Sequence, residues 1–233
     1  MALGEDQAVA YDAYMIRALF DGDPVSCESV SCVSVSHVRH NACGVRGVPP
    51  YRCSMNICVF LSAADLDERY TRPAREFAER LGKGGHTLVW GGSDVGLMKV
   101  VADGVQQAGG RLLGVSVDFL ADKARKNADE MVFAKDLAER KATLLAKSDA
   151  VVIMVGGTGT LDEATEILEL KKHGHTTKPV VLLNTAGFYD GLREQFRRME
   201  DEGFLPRPLA DLVFFAEDGV TALGYLEASH GRQ

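Results

Sequence analysis

The sequence predicts an α/β fold, a mostly parallel sheet with helices on both faces, built as a single domain. Three observations point that way. Short apolar runs rich in Val, Ile and Leu, such as 111–117, 150–155 and 179–183, alternate with stretches of helical period. The last two are apolar throughout, as strands covered on both faces are. Glycine clusters at 91–96 and 156–159 fall at strand-to-helix junctions, where a doubly wound, Rossmann-like sheet turns tightly.

Asn56-Ile-Cys-Val-Phe-Leu-Ser62 is an apolar run of strand type. Residues 68–81 follow with helical period and close at Gly82, Gly84 and Gly85, which favour a helix stop. A second strand, 86–90, ends in Gly91-Gly92-Ser93-Asp94-Val95-Gly96, and a helix runs on to Ala108. A Gly-Gly turn leads to strand 111–117, and Met131-Val-Phe133 reads as a short fourth strand. Residues 136–147 make a charged amphipathic helix before the buried run 150–155. Helix 160–172, strand 179–183, helix 188–202, strand 212–215 and a terminal helix from Asp218 complete the alternation. No internal repeat or low-complexity tract follows Met55.

A chain of 233 residues, 46% hydrophobic and 25% charged, can bury a core without disulfides. Its 26 basic residues against 33 acidic ones leave a net charge of −7, which argues against a nucleic-acid partner. No apolar run reaches the roughly 18–20 residues of a membrane span. The first thirty residues are acidic and broken by polar groups, unlike a secretory signal. The expectation is a soluble, cytoplasmic protein with no membrane partner.

All five cysteines fall between Cys27 and Cys58, an odd count that argues for reduced thiols. Cys27, Cys32, His37, His40 and Cys43 are metal-type donors, but their irregular spacing contains no Cys-x-x-Cys pair. Residues 1–54 are therefore expected to be a weakly ordered extension without metal, and 55–233 the domain that carries function.

Ligands of open α/β sheets bind beyond the carboxyl ends of the strands. Glycine there lets backbone approach a ligand, and a following helix start offers N–H groups to an anion such as phosphate. Neither cluster is a triphosphate loop, since Leu97 and Met98 follow Gly96 where lysine and serine or threonine would stand. Gly157-x-Gly159-x-x-Asp162 lacks the third glycine of a dinucleotide fingerprint, which disfavours an NAD-dependent enzyme. A nucleoside monophosphate fits best. Blander readings stand beside this one. Thr160 and Glu163 have capping-box spacing, Asp136 and Arg140 could form a solvated i,i+4 ion pair, and Glu166 and Glu169 could line a solvated helix face.

Taken together, Gly156-Gly157-Thr158-Gly159-Thr160-Leu161-Asp162-Glu163 resembles the Pro-Gly-Gly-x-Gly-Thr-x-x-Glu signature of the LOG family. That family comprises cytokinin riboside 5′-monophosphate phosphoribohydrolases, many once labelled lysine decarboxylases. Glu139-Arg140-Lys141 resembles its Glu-Arg-Lys segment, and Gly91-Gly92-Ser93-Asp94-Val95-Gly96-Leu97-Met98 its Gly-Gly-Gly-x-x-Gly-Leu-Met loop. Lys178 to Asn184 and Gly187-Phe-Tyr189 echo the next strand and turn. The likeness covers about 56–226. Val155 stands where the family has proline, Lys99 where it usually has glycine, and Ser62-Ala63-Ala64 where it has Gly-Ser-Ser. The 122–127 loop is basic where many relatives are acidic.

The resemblance implies hydrolysis of the N-glycosidic bond of an N6-substituted adenosine 5′-monophosphate (AMP), giving free base and ribose 5-phosphate. It implies Glu163 beside the ribose and Arg140 positioning substrate as catalytic residues. Lys141, Gly156, Gly157, Thr158, Gly159, Thr160, Gly91, Gly92 and Ser62 would bind the nucleotide. It implies neither cofactor nor metal, and a homodimer or higher homo-oligomer. The decarboxylase label would need a pyridoxal-phosphate lysine, which no sequence feature singles out. A non-catalytic nucleotide-binding or carrier protein of the same fold is the competing reading.

Overall fold

Seven parallel strands form one sheet in the computed structural model, which describes residues 54–230. At its centre β1 (Asn56–Phe60) pairs with β2 (Thr87–Trp90) on one side and β5 (Ala150–Ile153) on the other. Cys58 is thus in register with both Val89 and Val151. β3 (Arg111–Val117) and β4 (Glu130–Ala134) continue beyond β2, while β6 (Val180–Leu183) and β7 (Phe214–Ala216) continue beyond β5. The chain therefore winds outward from β1, crosses back to its other side, and winds outward again. The strand order reverses between β1 and β5, where such a sheet opens a crevice at its carboxyl end.

The strands feed two cores because successive side chains point to opposite faces. Ile57, Val59, Leu88 and Trp90 join α1 (Glu68–Lys83), α2 (Gly96–Gln107) and α7 (Gly219–His230) on one face. Cys58, Phe60, Val151 and Ile153 join α3 (Leu137–Ala146), α4 (Thr158–Lys172), α5 (Asp190–Asp201) and α6 (Leu209–Leu212) on the other. α1 starts at Asp67, whose carboxylate accepts the Arg69 N–H, a cap that contributes about 1 kcal/mol. Pro73 inside α1 removes one backbone bond, and the buried stripe of Ala74, Phe77, Ala78 and Leu81 holds the helix regardless.

The alternation read from the sequence is present, with shifted ends. The first strand stops at Phe60, not Ser62; past it the Ser62 N–H, on the side facing β5, donates to the Val155 carbonyl at 3.1 Å beyond the end of that strand. α4 begins at Thr158 rather than 160, and α5 spans 190–201 rather than 188–202. The last strand is 214–216, because the Pro208 carbonyl accepts the Asp211 N–H and starts the short helix α6 through Leu212. That helix and the 3-10 turns Asp118–Lys123 and Thr185–Gly187 went unanticipated, being too short to show a period. The proposed extension, with Cys27, Cys32, His37, His40 and Cys43, lies outside the described residues. Among the described residues no helix is long and apolar enough to cross a membrane.

Candidate active site

The crevice between β1 and β5 is bordered by the first turn of α4. Its N-cap residue, Gly157, has no side chain to offer, and no side-chain hydrogen bond closes the helix start. The opening N–H groups of a helix lack intrahelical partners and carry partial positive charge. Gly157, Thr158 and Gly159 are exposed, and a β-carbon at Gly157 or Gly159 would meet nothing within 4 Å. Internal packing does not demand glycine at either position. Gly156 is different: a β-carbon there would stand 2.1 Å from Thr160 Oγ1, so the loop folds back onto a threonine only 5% exposed. Thr160 lies inside the helix rather than at its N-cap, which overturns the capping-box reading of Thr160 and Glu163.

Two segments hold this loop from below. Tyr189, 3% exposed, donates its hydroxyl to the Met154 carbonyl at 2.7 Å, and burial pushes its phenol well above the usual range. Ser62 reaches across the switch point to Val155 through its backbone, while its Oγ accepts the Ala64 N–H at 3.0 Å.

Arg140 and Glu163 come together over the strand ends. α3 starts at Asp136, which caps the helix through the Glu139 N–H and so is not the partner of Arg140. The Arg140 Nε donates to the Val115 carbonyl at 3.0 Å, and Nη1 lies 3.5 Å from Glu163 Oε1. The two side chains are 13% and 11% exposed. A separation of 3.5 Å is at the outer limit of a hydrogen bond. Burial raises the Glu163 carboxyl most strongly, Arg140 opposes it, and Asp162 and Glu166 add to the rise; the balance is pushed up to about 7. Glu163 therefore changes charge near neutral pH.

Lys141, the next residue of α3, also reaches α4. Its ammonium lies 3.0 Å from Asp162 and pairs closely with Glu166. Glu166, at 21% side-chain exposure, belongs to this cluster and not to a solvated face. Glu169 does stay on the surface, 57% exposed and paired with Lys172 and His173.

The two glycine clusters serve different ends. The start of α2 is already filled: Leu97 N–H donates to the Ala64 carbonyl at 3.0 Å, and a β-carbon on Gly96, whose φ is +52°, would lie 2.2 Å from the Ala63 carbonyl oxygen. Of the two helix starts that follow glycine clusters, α2 thus has its Leu97 N–H occupied within the protein, while α4 has no side-chain cap. Gly91 instead lies under Arg140, where a β-carbon would be 2.1 Å from Nη2, and Gly92, at φ +73°, lies under Met131.

The site groups Arg140, Glu163, Lys141, Gly91 and the 156–160 loop at the carboxyl ends of β2, β3 and β5. Sequence reasoning missed Tyr189, the Val115 carbonyl and Glu166 as its supports. In every case the partner lies 25 or more residues away in chain order, too far for local spacing to reveal. A cleft of about 390 Å³ lined by Arg80, Lys83, Leu223 and Glu227 lies between α1 and α7, away from this chemistry.

Over residues 98–226 the chain matches the family described as "Possible lysine decarboxylase". It is 36% identical over 175 residues to the cytokinin riboside 5′-monophosphate phosphoribohydrolase LOG5 of Arabidopsis thaliana, covering 74% of this chain and 77% of that protein. It is 32% identical over 160 residues to the cytokinin riboside 5′-monophosphate phosphoribohydrolase of Mycobacterium tuberculosis, covering 67% and 86% of the two chains. Among solved structures, the Moco carrier protein of Chlamydomonas reinhardtii superposes with a TM-score of 0.60 at 25% identity, over 77% of this chain and 99% of that one.

Proposed function

The chain belongs to the LOG family, and from that premise we propose that it hydrolyses the N-glycosidic bond of an N6-substituted adenosine 5′-monophosphate, releasing the base and ribose 5-phosphate. The observation that carries this reading is a buried carboxyl of raised pKa beside an arginine, next to an uncapped helix start with open space above it.

The 5′-phosphate would accept hydrogen bonds from the N–H groups at the start of α4 and from Thr160. That fixes the ribose toward Glu163. As the bond from sugar carbon to base nitrogen lengthens, positive charge develops on the sugar, and ionised Glu163 stabilises it. Glu163 also orients the attacking water and, with a pKa about 7, is matched to accept its proton. The water oxygen bonds to the sugar carbon, the electron pair of the broken bond leaves with the base, and the base takes up one proton, which balances the one Glu163 accepts from water. Arg140, whose guanidinium is fixed by Val115, positions the nucleotide and assists that departure.

Lysine decarboxylation would need a lysine that readily loses its proton to form a Schiff base with pyridoxal phosphate. Lys141 does not fit. Burial pulls its pKa down, but hydrogen bonds and ion pairs with Glu166 and Asp162 outweigh burial and hold it above the usual lysine value. Lys171 and Lys178, which burial does lower, are at the last turn of α4 and just before β6, at the opposite end of the strands.

The carrier reading draws on the shared fold with the Moco carrier protein. Glu163 argues against it, because a buried carboxyl weakens a site whose only task is to hold an anion. A homodimer or larger assembly, in the cytoplasm, belongs to the proposal. Phe133 and Leu137, 46% and 53% exposed just before Arg140, are apolar surface that a second copy would cover. Incubation with a panel of nucleoside monophosphates, followed for free base and ribose 5-phosphate, tests the reading. Binding without release of either product would favour the carrier.

A further inference from the structure

Arg125, in the loop between the 118–123 turn and β4, carries a charge on a side chain only 5% exposed. Its Nη1 lies 2.8 Å from Asp94 Oδ1 and 2.7 Å from Asp103 Oδ1, and its Nη2 donates to Gln106 Oε1 at 2.8 Å. Lys99 completes the cluster, 2.7 Å from Asp103 and 3.9 Å from Asp94. The two cations balance the two carboxylates. Lys99 and the basic 122–127 loop are separate departures in the sequence, and the fold brings both to the same pair of acids.

The backbone around Arg125 is laced to the glycine loop. Arg125 N–H donates to the Gly92 carbonyl at 2.8 Å, Asp94 N–H donates to the Lys123 carbonyl at 2.8 Å, and Ser93 forms an isolated antiparallel bridge with Ala124. Segment 123–125 is therefore zipped along 92–94. The residue just before that zipper is Gly91, on whose Cα the Arg140 guanidinium rests. There is little slack, since a β-carbon on Gly92 would already be 2.7 Å from Met131.

We propose that Arg125 is a positioning residue for Arg140. By tying segment 92–94 to the side of α2, it sets the height of Gly91 and so the place of the guanidinium beside Glu163. The inference rests on the proposed role of Arg140 in the site, and its test reads Arg140 directly. The Arg140 Nε–H donates to the Val115 carbonyl at 3.0 Å, so its hydrogen exchange reports whether the guanidinium stays in place.

In full-length protein, Arg125→Ala should speed that exchange by about tenfold or more through local opening, and Arg125→Lys should restore part of the protection. With an N6-substituted AMP as substrate, Arg125→Ala should lower kcat/KM by about tenfold in the parent and by almost nothing in an Arg140→Ala background, as coupled residues do. Unchanged exchange at Arg140, or equal losses in both backgrounds, would overturn the proposal and leave Arg125 a structural clamp. If Arg125→Ala is insoluble, Asp94→Asn takes its place in both measurements, since that side chain is 41% exposed and leaves Arg125 paired with Asp103. If the parent protein cleaves neither AMP nor an N6-substituted AMP, the proposed hydrolysis fails, while the exchange measurement still decides the role of Arg125.

Discussion

A β-carbon on Gly91 would stand 2.1 Å from Nη2 of Arg140, so the guanidinium can lie against the end of β2 only because that residue is glycine. The contact turns a loop that reads as a phosphate cradle into the floor of an arginine site. It also gives Gly91 a role separable from folding, because the clashing atom is the far end of a flexible side chain.

Gly91→Ala should therefore displace Arg140 and lower kcat/KM on the order of 10²-fold, near the loss expected from Arg140→Ala itself. Thermal unfolding should move little, by about 1 kcal/mol or less, since Arg140 can swing toward solvent. Parallel kinetics and melting curves on both variants check this. A large loss of stability with normal turnover would place Arg140 in the scaffold rather than the chemistry.

Glu163→Gln should lose turnover on the order of 10²-fold or more while still binding nucleotide. Its effect on stability has a definite sign. A carboxyl whose folded pKa is raised binds its proton more tightly in the folded state, so its contribution is present below about 4.5 and lost as pH rises through about 7. At pH 8 the Gln variant should be more stable than the parent by about 1–3 kcal/mol, and this advantage should vanish near pH 4.5. Denaturant melts at the two pH values measure it.

The same carboxyl should appear in the kinetics. Because the ionised form is the active one, kcat/KM should rise with pH along a limb centred near 7 and then level off. The substrate phosphate titrates at about 6 and adds its own limb. Comparing pH profiles of the parent and Glu163→Gln separates the two, since only the parent should show the higher limb.

Much of the architecture was legible because fully buried strands are written as unbroken apolar runs. The run at 150–155 is β5 and the run at 179–183 is β6, each within two residues at either end. The short helix α6 was not legible, being a single turn without a period. At the site, Gly157, Gly159 and Glu163 were readable as a motif, but their neighbours were not. Asp136 has ideal spacing to pair with Arg140, yet it caps the helix, while the arginine turns to Glu163, 23 residues along the chain. Local spacing lists the pairs a helix permits; the sheet topology decides which are made.

A chain starting at Ser54 should fold and keep its activity, because every element of the described sheet begins after that residue. Circular dichroism and turnover of this truncated protein, compared with the full chain, check it. An insoluble or inactive product would show that residues 1–53 contribute to the domain.

The most direct test compares AMP, adenosine and ATP, each with and without an N6 substituent, by kcat/KM. In the proposed site the uncapped start of α4 would donate N–H groups to one phosphate, each charge-assisted bond contributing about 1.5–3 kcal/mol. Energy from that remote contact orients the ribose against Glu163 and so should appear in turnover as well as in binding. Monophosphates should be cleaved at least roughly 100-fold more efficiently than the matching nucleosides, with triphosphates also failing because neither glycine cluster carries the lysine of a triphosphate loop. Equal cleavage of nucleoside and monophosphate would contradict the account and reduce the Gly156 to Thr160 loop to a tight turn.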